Sequence, residues 1–241
     1  MFNLQRYYSN VYWHFTGSPD VDWSKIKMPK QIKGKAKDTE RSVDILEQII
    51  SSGKLLAGKP ELIYGQVKTK GFCCVCDIPF KDLVQHSQYY GKVAIGFSAD
   101  SIQSLFNPVL YIPRDFPIPL DLKVDLNREI DLEKEYDLEE PVFDLIGDLL
   151  GLEGDPDYNE RLSLALGHFK NLMKVTGFSQ NDEETFYRER EWRKIGDYIF
   201  SVDEVEAVIV PEQFTGQIKK HLINNNYDNT TVIPYEFVEK V

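Results

Sequence analysis

The chain has 241 residues, 42% of them hydrophobic, enough to bury a sizeable core and too apolar for wholesale disorder. No stretch approaches the roughly 18 apolar residues of a membrane helix, no secretion signal opens the chain, and three clustered cysteines, Cys73, Cys74 and Cys76, suit a reducing compartment, so a cytoplasmic protein without membrane contact is expected. The net charge of −11 is uneven: residues 121–155 hold 13 acidic and 3 basic side chains, whereas residues 24–41 hold seven lysines and arginines against Asp38 and Glu40. This argues against a general nucleic-acid coat but leaves the basic loop 24–41 as a possible contact for phosphate.

In chain order, residues 9–15 read as a strand, and 17–37, with Gly17, Pro19, Pro29 and Gly34, as a long basic loop. A helix follows, capped by Asp38 or Thr39, with Val43, Leu46, Ile49 and Ile50 on one face and Gly53 at its stop position. Short strands are expected at 61–67 and 71–76. A short helix at 80–91, ended by Gly91, leads to strands at 92–99 and 107–113. Residues 114–140 are acidic with little periodicity, and 141–152 and 157–178 read as amphipathic helices, the second closed by Gly177. The aromatic-rich stretch 185–200 suits a strand or hairpin. A strand at 205–211, a helix at 211–225 and a strand at 230–238 close the chain. The expected architecture is a single α+β domain over residues 1–241 with an acidic helical insertion at about 114–180.

Three features carry candidate chemistry. The cysteines do not form a metal site: zinc asks for four ligands, usually as two separated pairs, and adjacent strand residues point to opposite faces. In "YREREWR" (187–193), an extended chain puts Glu189, Glu191 and Arg193 on one face and Arg188, Arg190 and Trp192 on the other. Such a Glu-x-Glu pair is either an exposed, charge-mixed strand or a carboxylate held at a cleft edge, oriented by Arg193 or Arg190. His14, at the end of an aromatic strand, is either a satisfied structural histidine or a hydrogen-bonding group in a cleft, with Thr16-Gly17 letting backbone approach a ligand.

Taken together, "HFTG", "DILEQIISSGKL", "FCCVCDIPFKDLVQHSQYYGKVAIGFS", "NPVLYIP" and "FYREREWR" resemble the AbiGi-type abortive phage-infection proteins over roughly 10–113 and 183–211, with the acidic insertion outside the match. More distantly, the layout resembles the ADP-ribosyltransferase superfamily, including DarT-like toxins. That resemblance implies an ADP-ribosyltransferase-like split β-sheet and NAD as co-substrate, with modification of nucleic acid or protein. It implies that His14 and Phe15, then Thr16 and Gly17, floor the nicotinamide site, that Tyr90, Phe97 and Ser98 wall it, and that Glu191 is the catalytic carboxylate with Glu189 upstream. The basic loop would then meet phosphate of NAD or of a nucleic-acid target. The AbiGi resemblance implies a second possibility: a non-enzymatic antitoxin or sensor that binds a toxin partner in a two-protein abortive system.

Overall fold

The computed structural model describes residues 9–64, 67–113, 167–179, 181 and 183–241. Strand β1 (Val11–Phe15) leads through the basic loop to helix α1 (Thr39–Ser52). The Asp38 carboxylate accepts the Arg41 N–H at 2.8 Å, and Gly53, at φ 60°, ends the helix in the left-handed region, as the cap and stop signals predict. Short strands β2 (Lys54–Leu55), β3 (Leu62–Tyr64) and β4 (Val67–Lys68) precede β5 (Phe72–Cys76). Helix α2 (Leu83–Tyr90), β6 (Ala94–Ser98), α3 (Ala99–Leu105), β7 (Asn107–Pro108) and β8 (Leu110–Pro113) follow. The chain returns in β9 (Met173–Thr176), β10 (Glu191–Ile195), β11 (Tyr198–Ile199) and β12 (Val205–Val210), then helix α4 (Thr215–Asn224) and β13 (Thr231–Pro234).

Seven strands form the main sheet in the order β13-β12-β6-β1-β5-β10-β7. Its pairings are antiparallel except β12 with β13. The α+β expectation therefore holds, with a mostly antiparallel sheet. Strand alternation sorts side chains to two cores. On one face, Tyr12, Val75, Ile95, Phe97 and Val208 pack with Val43, Leu46 and Ile50 of α1 and Ile218 and Leu222 of α4. On the other, Trp13, Phe15, Ala94 and Ile209 pack with Ile78, Leu83 and the closing helical turn Tyr235–Val238. Each such fully buried Val, Leu, Ile or Phe contributes about 1.5–3 kcal/mol relative to exposure.

Three sequence expectations change. Residues 173–176, read as helix within 157–178, form β9, which pairs in parallel with β8 from Leu110↔Met173 to Pro113↔Thr176; non-local pairing overrides the local helical period. Helix α3 goes unpredicted: it is a short element of seven residues, about two turns, started by Ser98, whose hydroxyl accepts the Ser101 N–H at 3.3 Å. The strand expected at 230–238 stops at Pro234 and turns into the helical segment Tyr235–Val238. The helix expected at 141–152, the acidic stretch and residues 157–166 of the second expected helix lie outside the described residues. Among the described residues, no helix is long and apolar enough to cross a membrane.

Candidate functional site

Strand β10 pairs with β5 in the register Glu191↔Cys76, Trp192↔Val75 and Arg193↔Cys74. Residues paired across two strands share a face. Trp192 therefore joins the α1 side, where its ring meets Tyr12 edge-on at 5.3 Å, and Glu191 and Arg193 point the other way with Cys74 and Cys76. Just before β10, Tyr187–Glu189 forms a 3-10 turn, and Arg190 adopts a left-handed conformation at φ 43°, ψ 49°. For a residue with a Cβ this costs on the order of 1–3 kcal/mol. The step lets Glu189 reach the same cation as Glu191, although the chain between them is not a regular strand as "YREREWR" suggests.

That cation is Lys174 of β9. Its Nζ lies 2.8 Å from Glu189 Oε2 and 2.9 Å from Glu191 Oε2. Arg193, with no exposed surface, donates through Nε to Glu191 Oε1 at 2.8 Å and through Nη2 to Glu61 Oε2 at 2.9 Å. Its Nη1 reaches the Asn171 carbonyl at 3.2 Å, and the guanidinium lies 4.0 Å from the centre of the Phe72 ring. The Tyr90 hydroxyl donates to Glu189 Oε1, and the Tyr111 hydroxyl accepts the Glu191 N–H at 3.0 Å. Arg190 turns outward and pairs with buried Asp77 at 2.7 Å. Of the two arginines that could orient the carboxylate, Arg193 does so.

Burial works against ionisation of Glu191, but Arg193 and Lys174 outweigh it and hold its carboxyl down to about 2. Glu189 lies more on the desolvated side: burial, joined by the neighbouring Glu191 charge, lifts it above the usual carboxylate range despite Lys174. Burial opposes the Lys174 ammonium too, yet the two carboxylates keep it firmly protonated.

In front of Glu189 lies a cleft of about 260 Å³ lined among others by His86, Tyr89, Tyr90 and Tyr187. His86 stacks on Tyr90 with ring centres 4.6 Å apart and packs against Phe15 at 4.7 Å. Burial pushes its imidazole down to about 3. Cys76 Sγ lies 3.8 Å from His86 Nε2, but burial raises the Cys76 thiol, so this is a neutral contact without the ion-pair character of an activated cysteine. Among the described residues no group of His, Cys, Asp and Glu could hold a metal ion.

The remaining sequence candidates lie elsewhere. His14 pairs in register with Ile95, which sets it on the α1 side of the sheet, opposite to Glu191. Its Nδ1 bonds the Cys74 carbonyl at 2.8 Å where β1 leaves β5, and burial keeps the ring below the usual histidine range. Phe15 backs His86. The Thr16 hydroxyl donates to the Ser42 carbonyl at 2.7 Å and its N–H to the Val93 carbonyl at 3.1 Å. Gly17 is required by close packing: a Cβ there would fall 2.5 Å from the Tyr90 carbonyl oxygen. Phe97 is core, edge-packed on Tyr198 and Phe200 at 5.4 and 5.0 Å, and Ser98 caps α3. Tyr90, Glu189 and Glu191 thus come together, with Phe15 behind them, while His14, Phe97 and Ser98 do not join them.

In the basic loop, Lys25 pairs with Asp22, Lys30 with Glu184, Lys33 with Glu183, and Lys37 and Arg41 with Asp20. Much of its charge is therefore offset within the chain. Of the implied nicotinamide floor, His14 faces away from Glu191, whereas Phe15 lies on the Glu191 side of the sheet. Lys174, Tyr111 and Glu61 were not legible as site residues, and His86 carried a signal only as part of "CDIPFKDLVQHSQYYG".

Comparison with known proteins gives one finding. The model of a family described as putative abortive phage resistance protein AbiGi, antitoxin, matches residues 58–236. The match omits β1 with His14 and spans the acidic stretch that the motif resemblance placed outside it. No curated protein and no solved structure matches the chain.

Proposed function

Since the chain belongs to the AbiGi family of putative abortive phage resistance antitoxins, we propose that it acts in phage defence as the antitoxin or sensor half of a two-protein system, by binding a toxin partner rather than by turning over NAD. The observation that carries the choice is the engagement of Glu191, which accepts three hydrogen bonds from Arg193 and Lys174 spread over both of its oxygens. Cleaving the nicotinamide–ribose bond calls for a carboxylate that can bind the ribose and offset an oxocarbenium-like charge. Releasing Glu191 for that role would break its buried pair with Arg193, which would keep only Glu61 as a carboxylate partner, and breaking such a pair costs up to about 3–5 kcal/mol.

The test is co-expression with the protein encoded beside it. The expected result is co-purification of the two chains and rescue of growth when the partner alone is toxic, with both retained in Glu191→Gln. Calorimetry with NAD is expected to show no binding. Transfer of label from NAD by the wild type, lost in Glu191→Gln, overturns the reading.

A further inference from the structure

The buried network around Lys174 is not balanced. Glu61, Glu189 and Glu191 face Lys174 and Arg193, which leaves one negative charge in excess among the described residues. A buried charge without compensation is costly, so such groups are paired. Of the three carboxylates, Glu189 is the one that lines the 260 Å³ cleft. Each of its oxygens accepts one described hydrogen bond, from Tyr90 and from Lys174, and an ionised carboxylate has about four acceptor sites.

The cleft walls are aromatic. Tyr90 and His86 form a stacked pair, Tyr89 lies beside them, and Tyr187, 57% exposed, stands at the mouth. Phe178, also largely exposed, packs on Tyr187 with ring centres 5.6 Å apart. Exposed aromatics beside a concave pocket are the composition of a binding surface rather than of an ordinary protein exterior. The volume lies below the roughly 300–1,000 Å³ of sites that enclose a drug-sized ligand, which suits one long side chain better than a dinucleotide. The other charged groups of the lining do not reverse the sign: Arg190 is offset by Asp77, and Arg188 and Asp82, which also line the cleft, carry opposite charges.

We propose that this cleft receives an arginine side chain of the toxin partner, its guanidinium stacked among the tyrosine rings and donating to Glu189. Arginine fits better than lysine because a planar guanidinium both stacks on rings and offers several donors in one plane. The identity of the partner as a toxin rests on the antitoxin reading above; the chemistry of the cleft does not.

Two measurements separate the two claims. N-acetylarginine amide titrated into the isolated protein is expected to shift the His86 and Tyr90 ring resonances saturably. That response is expected to vanish in Glu189→Gln and to weaken in Tyr187→Ala, whose exposed ring can be removed without touching the core. Shifts from N-acetylaspartate amide instead, or an arginine response unchanged in both variants, overturn the proposal. In the complex, Tyr187→Ala and Glu189→Gln, each checked for an unchanged fold by far-UV circular dichroism, are expected to weaken partner binding by about tenfold or more. Unchanged affinity in both removes the cleft as the docking site and leaves the antitoxin reading standing. If the wild type does not bind the partner, the antitoxin reading falls, and the arginine titration still decides the cleft.

Discussion

On one face of β5 and β10, Cys73, Val75 and Trp192 join the apolar cluster built on Val43, Leu46 and Ile50 of α1. On the other face of the same strands, Glu191 and Arg193 enter a buried network with Lys174, Glu189 and Glu61. The first face is stabilised by removing apolar surface from water, and its neighbours adjust to small changes. The second must offset the desolvation of its charges with well-placed partners, so removing a charge at its centre, Arg193 above all, is costly. A chain that needed only stability would fill both faces alike. Ions and a left-handed Arg190 beside an aromatic cleft are why the proposed binding cleft is set on that face.

The largest test of this contrast removes Arg193. Arg193→Met is expected to cost about 3–5 kcal/mol in urea unfolding, because Glu191 and Glu61 lose their shared cation. The double variant Glu191→Gln/Arg193→Met is expected to lose much less than the two single variants added together, because both members of the pair go at once. On the opposite face, Leu46→Ala is expected to cost about 2–5 kcal/mol through the cavity it leaves. Its effect is expected to add to that of Arg193→Met within about 0.5 kcal/mol. Strong coupling between Leu46 and Arg193 would break the division into two faces.

The second test uses pH. His86 is buried, and its folded-state imidazole titrates near 3 instead of its ordinary 6.5. Between those values the unfolded chain holds the extra proton, so stability from this group is full above about pH 6.5 and falls as pH drops toward 3. At pH 4 the loss is roughly 3 kcal/mol at one pKa unit per 1.36 kcal/mol. His86→Phe keeps a ring against Tyr90 and Phe15 and removes this titration. Its unfolding curve is expected to stay flatter between pH 6.5 and 4 than that of the wild type. Parallel acid profiles for the two proteins would show that the charged face is wetter than the structure indicates.

A smaller effect is expected at Ser98. The structure uses its hydroxyl to cap α3, so Ser98→Ala is expected to lower stability by about 0.5–2 kcal/mol. Partner binding, which the charged face would provide, is expected to be unchanged.

How far the sequence reveals this arrangement depends on which interactions are local. Helix α1 was legible because cap, apolar period and glycine stop all lie within sixteen residues. Strand β12 was legible because its apolar run has turn signals on both sides. The convergence of Glu189, Glu191 and Arg193 was legible from the period of two, although Glu189 arrives through a turn. Lys174 was not. It sits in "MKVT", which reads as the end of a helix, and becomes a strand residue only by pairing with Leu110–Pro113. His14 drew attention because a polar residue follows an aromatic run, but which face it takes is fixed by its register with Ile95, and no motif states that register.

The smallest expected effect lies in the basic loop, which sets surface charge against buried charge. Lys30 and Lys33 pair with Glu184 and Glu183, and these side chains are each about half exposed. Solvent and salt screen such pairs, so they contribute little. The loop is also pinned to the same segment by a backbone bond, Lys30 N–H to the Glu183 carbonyl at 2.9 Å, which survives any side-chain change. The double variant Lys30→Ala/Lys33→Ala is therefore expected to leave the urea midpoint within error of the wild type at both low and high salt. A drop approaching that of Arg193→Met would mean that the loop is held by its lysines and that exposed and buried ion pairs are equivalent in this molecule. A midpoint unchanged at every salt concentration would confine the structural role of charge to the face that carries Lys174.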